Sequence, residues 1–165
     1  MEVVGTGEEM VAEGRRLASK FGKEQTTIKV PCTRGGLAAC RVLSKDLIKV
    51  NVTLIFSASQ AILAAKAGAK YVSPFVGRVD DNSFGGICLV KDIVNVFKEH
   101  YTTTQVLAAS VSNVRDVGRL FEHGAEIVTM PPGVFDKMYN HVLTDAGLEQ
   151  FDKDWSEVQS SIRVT

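Results

Sequence analysis

Short runs of β-branched and other apolar residues alternate along this chain with longer runs in which apolar residues recur at helical spacing. The short runs predict about six strands, at Glu2–Val4, Thr26–Val30, Val50–Phe56, Ala69–Phe75, Gln105–Ser110 and Ala125–Met130. The longer runs predict helices at Glu8–Lys20, Gly35–Leu43, Ala58–Ala67, Ile87–His100, Val114–His123, Pro132–Tyr139 and Thr144–Val158. Because strands and helices alternate through short connections, we expect a parallel sheet of the α/β class, in one domain over residues 1–165.

Two sheet closures fit this alternation, an open doubly wound sheet and a (β/α) barrel. No GxGxxG or GxxxxGK[ST] motif follows a predicted strand, so the usual nucleotide-binding marks of open sheets are missing. Successive side chains of a strand face opposite sides, and this places polar groups on one face only. That face carries Lys29, then Asn51, Thr53 and Ile55, then Ser73 and Phe75, then Ser110. An open sheet covered by helices would be apolar on both faces, so the pattern favours a barrel with a polar interior.

Lys29 interrupts the apolar strand TTIKVPCT. One interpretation is that it lies at a strand end, where its ammonium reaches water along the aliphatic stem. The other is that it faces a low-dielectric lumen, where loss of solvation favours the neutral amine. A neutral amine is a nucleophile that forms Schiff bases with carbonyl substrates. The strand pattern leaves both interpretations open.

The net charge and the cysteine pattern restrict the binding partners and the cellular compartment that we expect for the protein. The formal net charge is +0 at pH 7, so no basic field is available to gather nucleic acid or an anionic membrane. Cys32, Cys40 and Cys88 are widely spaced, without a CxxC pair or a Cys/His cluster, and predict neither a zinc site nor a disulfide framework. Without a leader pattern or an apolar run of transmembrane length, we expect a cytoplasmic protein that uses no cofactor.

Several long motifs carry a family resemblance. The segments IKVPCTRGGLAA, NVTLIFSASQAILAAKAGAKYVSPFVGRVDD, LAAS and VLTDAGLEQFDKDW resemble the small transaldolases and their near relatives, the fructose-6-phosphate aldolases. The resemblance implies a (β/α)8 barrel and identifies Lys29 as the strand lysine that forms a Schiff base with a ketose phosphate. Family members begin with two further βα units, so it also implies a barrel truncated at its N-terminus.

The resemblance assigns roles to four side chains near this amine. Glu2 resembles the acid/base carboxylate of transaldolases, and Thr53 the threonine that helps to hold the catalytic water. Asn51 resembles the asparagine that orients the substrate hydroxyls, and Ser73 lines the substrate end of the site.

Arg78 and Ser110 resemble the phosphate ligands of the family. For Arg78 the alternative is a surface ion pair with Asp80 or Asp81, and for Ser110 it is the N-cap of a nearby helix. The chain departs from the family at two further places. It has Ser112 where relatives often carry an arginine or lysine. It also has the loop DDNSFGGI after GRV, where relatives often carry a histidine.

The residue types at two positions distinguish transaldolases, which transfer a unit to an acceptor, from aldolases, which only cleave. Aldolases of the group usually carry a glutamine where this chain has Glu2 and a tyrosine where it has Phe75, so the resemblance favours a transaldolase. It implies transfer of a dihydroxyacetone unit from sedoheptulose 7-phosphate to glyceraldehyde 3-phosphate in the pentose phosphate pathway. A fructose-6-phosphate aldolase and a catalytically impaired barrel fragment are the alternatives. The amphipathic C-terminal helix, at about 144–158, implies a homo-oligomer.

Overall fold

A computed structural model describes residues 1–162 of the chain and contains one parallel β-sheet. Its strands are β1 (Thr27–Pro31), β2 (Lys49–Ile55), β3 (Tyr71–Pro74), β4 (Gln105–Ala108) and β5 (Ile127–Val128). The helices are α1 (Gly7–Phe21), α2 (Arg34–Lys45), α3 (Ala58–Lys66), α4 (Val76–Asp81), α5 (Gly86–Glu99), α6 (Val114–Glu122), α7 (Pro132–Lys137) and α8 (Val142–Ile162).

The strands pair in chain order, β1-β2-β3-β4-β5, and every pair is parallel. A doubly wound sheet reverses its strand order at a switch point, whereas a (β/α) barrel adds each strand beside the previous one. The observed order therefore confirms the barrel-type arrangement. Right-handed crossovers between consecutive strands place the connecting helices on one face of the sheet and leave the other face for side chains of the interior.

Two elements differ from the sequence-based prediction. The predicted strand at Glu2–Val4 is only a single bridge between Glu2 and Lys29, because Gly5 at φ +117° turns the chain away into α1. The expected six strands are thus five strands and one bridge within residues 1–162. Helix α4 was not predicted, because its six residues are too few to show a helical period.

Local sequence explains where four of the helices begin and where two of them end. Thr6, Thr33, Ser57 and Asn113 each accept a hydrogen bond from the backbone N–H three residues later, as N-cap side chains do. After α3 and α6, Gly68 and Gly124 adopt φ of +93° and +91°, in which a side chain would be strained. These two glycines confirm the repeated helix-to-strand unit that the sequence shows.

The core lies between the helices and one face of the sheet. Its largest fully buried side chains come from both layers and include Ile28, Val30, Val50, Val52, Val72, Leu43, Ile93 and Leu120. This apolar face is the one that the strand alternation predicts. The polar side chains of the same strands consequently lie on the opposite face, which holds the candidate site.

The chain divides into two compact units. The first is Met1–Met130, which contains the sheet and helices α1 to α6. The second begins at Pro131 and contains α7 and α8, and α8 buries none of its residues. Helix α8 extends beyond both ends of the predicted segment 144–158. Within residues 1–162, no helix combines the length and the apolar character needed to cross a membrane.

Candidate active site

Lys29 pairs with the chain segment that carries Glu2. The Lys29 N–H donates to the Met1 carbonyl at 2.7 Å, and the Val3 N–H donates to the Lys29 carbonyl at 3.0 Å. This pairing brings Lys29 Nζ to 3.2 Å from Glu2 Oε2, with the two side chains 33% and 52% exposed. At such exposure an ion pair adds only about 0–1 kcal/mol to the free energy of unfolding. Its consequence is chemical, because it holds an amine against a carboxylate.

The surroundings of Lys29 decide between the two sequence interpretations only in part. Strand β1 continues to Pro31, so Lys29 lies within the strand and not at its end. The side chain is nevertheless one-third exposed, because β1 and β5 do not pair with each other in the described chain. The expected lumen closed to water is therefore absent around the amine in residues 1–162.

Asn51 lies directly beside Lys29. The two residues are partners in the parallel register of β1 and β2, so both side chains emerge on the same face. On the next strand, the Ser73 hydroxyl donates to Asn51 Oδ1 at 2.8 Å. That bond fixes the orientation of the amide and leaves its NH2 group to donate to a ligand.

Thr53 follows on β2, next to an irregularity that the sequence did not reveal. Leu54 has φ +59°, and the four residues Val52–Ile55 of β2 oppose the three residues Val72–Pro74 of β3. The extra residue reverses the alternation, so the prediction that Ile55 shares a face with Asn51 and Thr53 is wrong. Ile55 is fully buried on the apolar face instead. Thr53 as a whole residue is 1% exposed, and its hydroxyl has no hydrogen-bond partner among the described residues.

The Phe75 ring contacts two cationic groups. Lys29 Nζ is 6.0 Å from the ring centroid, and Arg78 Cζ, one helical turn further along the chain in α4, is 4.8 Å from it. Phe56 packs edge-on against the same ring at 5.9 Å. The predicted alternative of an ion pair between Arg78 and Asp80 is not found, because Asp80 Oδ1 accepts from the Gly86 N–H at 2.7 Å. The described residues also show no ion pair to Arg78 within 4.0 Å, so its guanidinium edge is available for an anion.

Ser110 is held against the start of α4. The Gly77 N–H donates to the Ser110 carbonyl at 2.9 Å, and a Cβ on Gly77 would lie 2.3 Å from that oxygen. Ser110 adopts φ +61°, and its side chain is not the helix cap that the alternative required, because Asn113 caps α6. The contact brings the exposed side chains of Arg78 and Ser110 to the same end of the sheet. Ser112 is exposed in the connection between them and α6.

The cysteines do not compete with Lys29 as nucleophiles. Burial raises the pKa of the Cys32 thiol, and it raises the pKa of Cys40 to about 12, so both stay protonated near neutral pH. Cys88 is exposed on α5, apart from the polar face of the sheet. Residues 1–162 contain no cluster of three or more His, Cys, Asp or Glu side chains suited to a metal ion.

The strands pair in chain order, and the polar side chains lie on the face of the sheet that lines the interior of a barrel. These two features together define the class of β/α-barrel proteins. The chain belongs to the Transaldolase/Fructose-6-phosphate aldolase family, whose model matches residues 1–162. That family consists of enzymes built on a (β/α)8 barrel.

Individual relatives agree with this assignment. A probable transaldolase of Caulobacter vibrioides is 48% identical over 157 residues, which cover 95% of this chain and 71% of the relative. A probable transaldolase of Nitrosopumilus maritimus is 50% identical over 97% of this chain and 72% of its own length. One from Kosmotoga olearia is 52% identical over 91% of this chain and 68% of its own length.

Two buried hydroxyls give a stability prediction for the site. Thr53→Val and Thr26→Val each replace a buried hydroxyl that has no hydrogen-bond partner among the described residues, and Thr26 lies just before β1. Thr26→Val breaks no hydrogen bond, so we expect it to raise the free energy of unfolding by about 1 kcal/mol in urea titrations. Thr53→Val should gain less, because the family resemblance assigns a bound water to its hydroxyl, and an equal gain for the two variants would contradict that water.

Proposed function

We propose that this chain is a transaldolase in which Lys29 forms a Schiff base and transfers a dihydroxyacetone unit between a ketose phosphate and an aldose phosphate. The observation that carries the proposal is the contact between Lys29 Nζ and Glu2 at 3.2 Å, beside Asn51, in a member of this family. Sedoheptulose 7-phosphate and glyceraldehyde 3-phosphate are the proposed substrates. Erythrose 4-phosphate and fructose 6-phosphate are the proposed products, in a cytoplasmic pentose phosphate pathway.

The chemistry follows from a carboxylate beside an amine. The Lys29 amine attacks the ketone carbon, and loss of water gives a protonated imine that accepts electrons from the neighbouring carbon–carbon bond. Glu2 takes the proton of the hydroxyl that becomes the departing aldehyde, directly or through a water held by Thr53. The remaining enamine attacks the acceptor aldehyde, and hydrolysis of the new imine returns the free amine. Asn51 and Ser73 supply hydrogen bonds to the substrate hydroxyls.

Arg78 and Ser110 form the other end of the proposed site. The guanidinium offers planar, paired N–H donors to a phosphate, and one of its faces already rests on Phe75. Ser110 adds a hydroxyl at a backbone position fixed by its bond to Gly77. Phosphate binding at this end would hold the substrate carbonyl at a fixed distance from Lys29.

A fructose-6-phosphate aldolase is the second candidate, because it uses the same imine without an acceptor. The combination of Glu2 and Phe75 favours transfer, since aldolases of the group usually carry glutamine and tyrosine there. Phe75 has no hydroxyl to protonate the enamine, so the enamine would survive until an acceptor aldehyde arrives. Product formation measured with and without an acceptor aldose phosphate separates the two activities.

Borohydride trapping tests the imine directly. We expect sodium borohydride to fix dihydroxyacetone or fructose 6-phosphate covalently on Lys29, where peptide mass spectrometry locates the adduct. Lys29→Met should abolish the adduct, whereas Lys91→Met, which removes an exposed amine from α5, should leave it unchanged. The absence of an adduct on Lys29 in the unaltered chain would refute the catalytic function and leave the impaired barrel.

Replacement of Arg78 tests the phosphate end. Loss of a charge-assisted hydrogen bond costs about 1.5–3 kcal/mol, so Arg78→Ala should raise KM for a ketose phosphate about 10- to 100-fold. Imine trapping with unphosphorylated dihydroxyacetone should change little, because that substrate has no phosphate. Arg41→Ala, an exposed arginine on α2, serves as the control. An equal loss with both substrates would contradict the phosphate role.

We also propose that the chain forms a homo-oligomer through α8. Its exposed apolar side chains include a row at helical spacing, Leu148, Phe151, Trp155, Val158 and Ile162. Such a row is long enough to require cover. We expect light scattering to give a mass above that of one chain and Phe151→Asp with Trp155→Asp to reduce it. The mass of a single chain at every concentration tested would rule out this assembly.

A further inference from the structure

The phosphate end of the proposed site has no ion pair to hold its cation in place. The ion pairs of residues 1–162 do not include Arg78, and the nearby Asp80 carboxylate accepts from the Gly86 N–H instead. Arg78 also borders a cavity of about 260 Å³, so its side chain has open space into which it could turn. Its guanidinium rests on the face of Phe75, with 4.8 Å between Cζ and the ring centroid. The orientation of this cation therefore depends on the orientation of that ring.

The Phe75 ring is in turn held by a second ring, that of Phe56. Their centroids are 5.9 Å apart and their planes meet at 60°, an edge-to-face arrangement that aromatic pairs prefer. Backbone pairing brings the two residues together, because the Phe75 N–H donates to the Ile55 carbonyl at 3.1 Å. Each ring consequently restricts the angles that the other can adopt.

Phe56 has an anchor of its own at the start of α3. Its N–H donates to Gln60 Oε1 at 2.8 Å, and the Gln60 N–H donates to the Ser57 hydroxyl at 3.2 Å. The two bonds tie the residues before α3 to its first turn, in the manner of a capping box. The Phe56 side chain is 43% exposed, so its ring is not a buried part of the core. Its replacement should therefore leave the fold intact.

We propose that Phe56 is a positioning residue, which holds the Phe75 ring and through it the Arg78 guanidinium in the orientation that binds the substrate phosphate. The inference rests on the proposed function, since Arg78 is the proposed phosphate ligand. Lys29 depends less on the ring, because its Nζ is 6.0 Å from the Phe75 centroid, at the limit of a cation–π contact, and 3.2 Å from Glu2. Phe56 thus acts on phosphate binding and not on imine formation.

A comparison of two donors tests this role. With unphosphorylated glyceraldehyde as acceptor, Phe56→Ala should raise KM for fructose 6-phosphate about three- to tenfold and leave kcat and the KM for dihydroxyacetone unchanged. Phe56→Tyr keeps the ring and should retain the original KM, whereas Phe56→Leu keeps apolar bulk without a ring and should resemble Phe56→Ala. Phe121→Ala, which removes a ring 51% exposed on α6, is the control. An equal rise in KM for both donors, or an unchanged KM in Phe56→Leu, would overturn the proposal.

A binding measurement separates this test from that of the proposed function. Sorbitol 6-phosphate has no carbonyl and forms no imine, and calorimetry should show that Phe56→Ala weakens its binding about three- to tenfold. In a chain that already carries Arg78→Ala, the same change should weaken binding no further, because the two residues act as one unit.

The outcomes of the trapping and binding experiments are distinct. If borohydride traps no adduct on Lys29 but Phe56→Ala weakens sorbitol 6-phosphate binding only when Arg78 is present, the catalytic proposal fails and the positioning role stands. If an adduct forms and Phe56→Ala leaves the binding unchanged, the positioning role fails alone. An equal loss with and without Arg78, or no binding to the unaltered chain, would also overturn it.

Discussion

The candidate site depends on two backbone hydrogen bonds that join residues 1–3 to β1. Both main-chain polar groups of Lys29 are directed at this segment, through the Met1 carbonyl and the Val3 N–H. The pairing is parallel, so the residue between these partners, Glu2, lies directly beside Lys29. On the other side of β1, the register places Asn51 beside the same lysine. An amine, a carboxylate and an amide are thus brought together by backbone pairing, whereas the exposed ion pair itself adds little stability.

The opposite end of the site depends on close backbone approach. Gly77 allows α4 to lie against the Ser110 carbonyl, where any Cβ would collide with it. Leu54, which follows Thr53, and Ser110 both have positive φ without being glycine, as Leu47, Ser83 and Tyr101 also do elsewhere in the described chain. Such conformations are unfavourable by about 1–2 kcal/mol each and persist where the surrounding structure determines them. Leu54 and Ser110 thus place part of this unfavourable backbone geometry within the candidate site.

The sequence was sufficient for the features that depend on periodicity. Strand alternation placed Lys29, Asn51 and Ser73 on one face, and the glycines after α3 and α6 marked two helix ends correctly. Prediction from the sequence failed where a bulge interrupts the strand alternation and where a helix is too short to show a period. Leucine at position 54 gives no sign of a left-handed bulge, and this bulge moved Ile55 to the apolar face. A helix of six residues shows no period, so α4 was missed although it carries Arg78.

The position of Phe75 connects the two ends of the site. Its ring centroid lies 6.0 Å from Lys29 Nζ and 4.8 Å from Arg78 Cζ, so one ring contacts both cations. An aromatic face attracts cations through its quadrupole, which gives each of them a favourable contact without an ion pair. In the proposed mechanism a tyrosine there would bring a proton donor to the enamine, whereas a phenyl ring would favour carbon–carbon bond formation over release of the three-carbon unit.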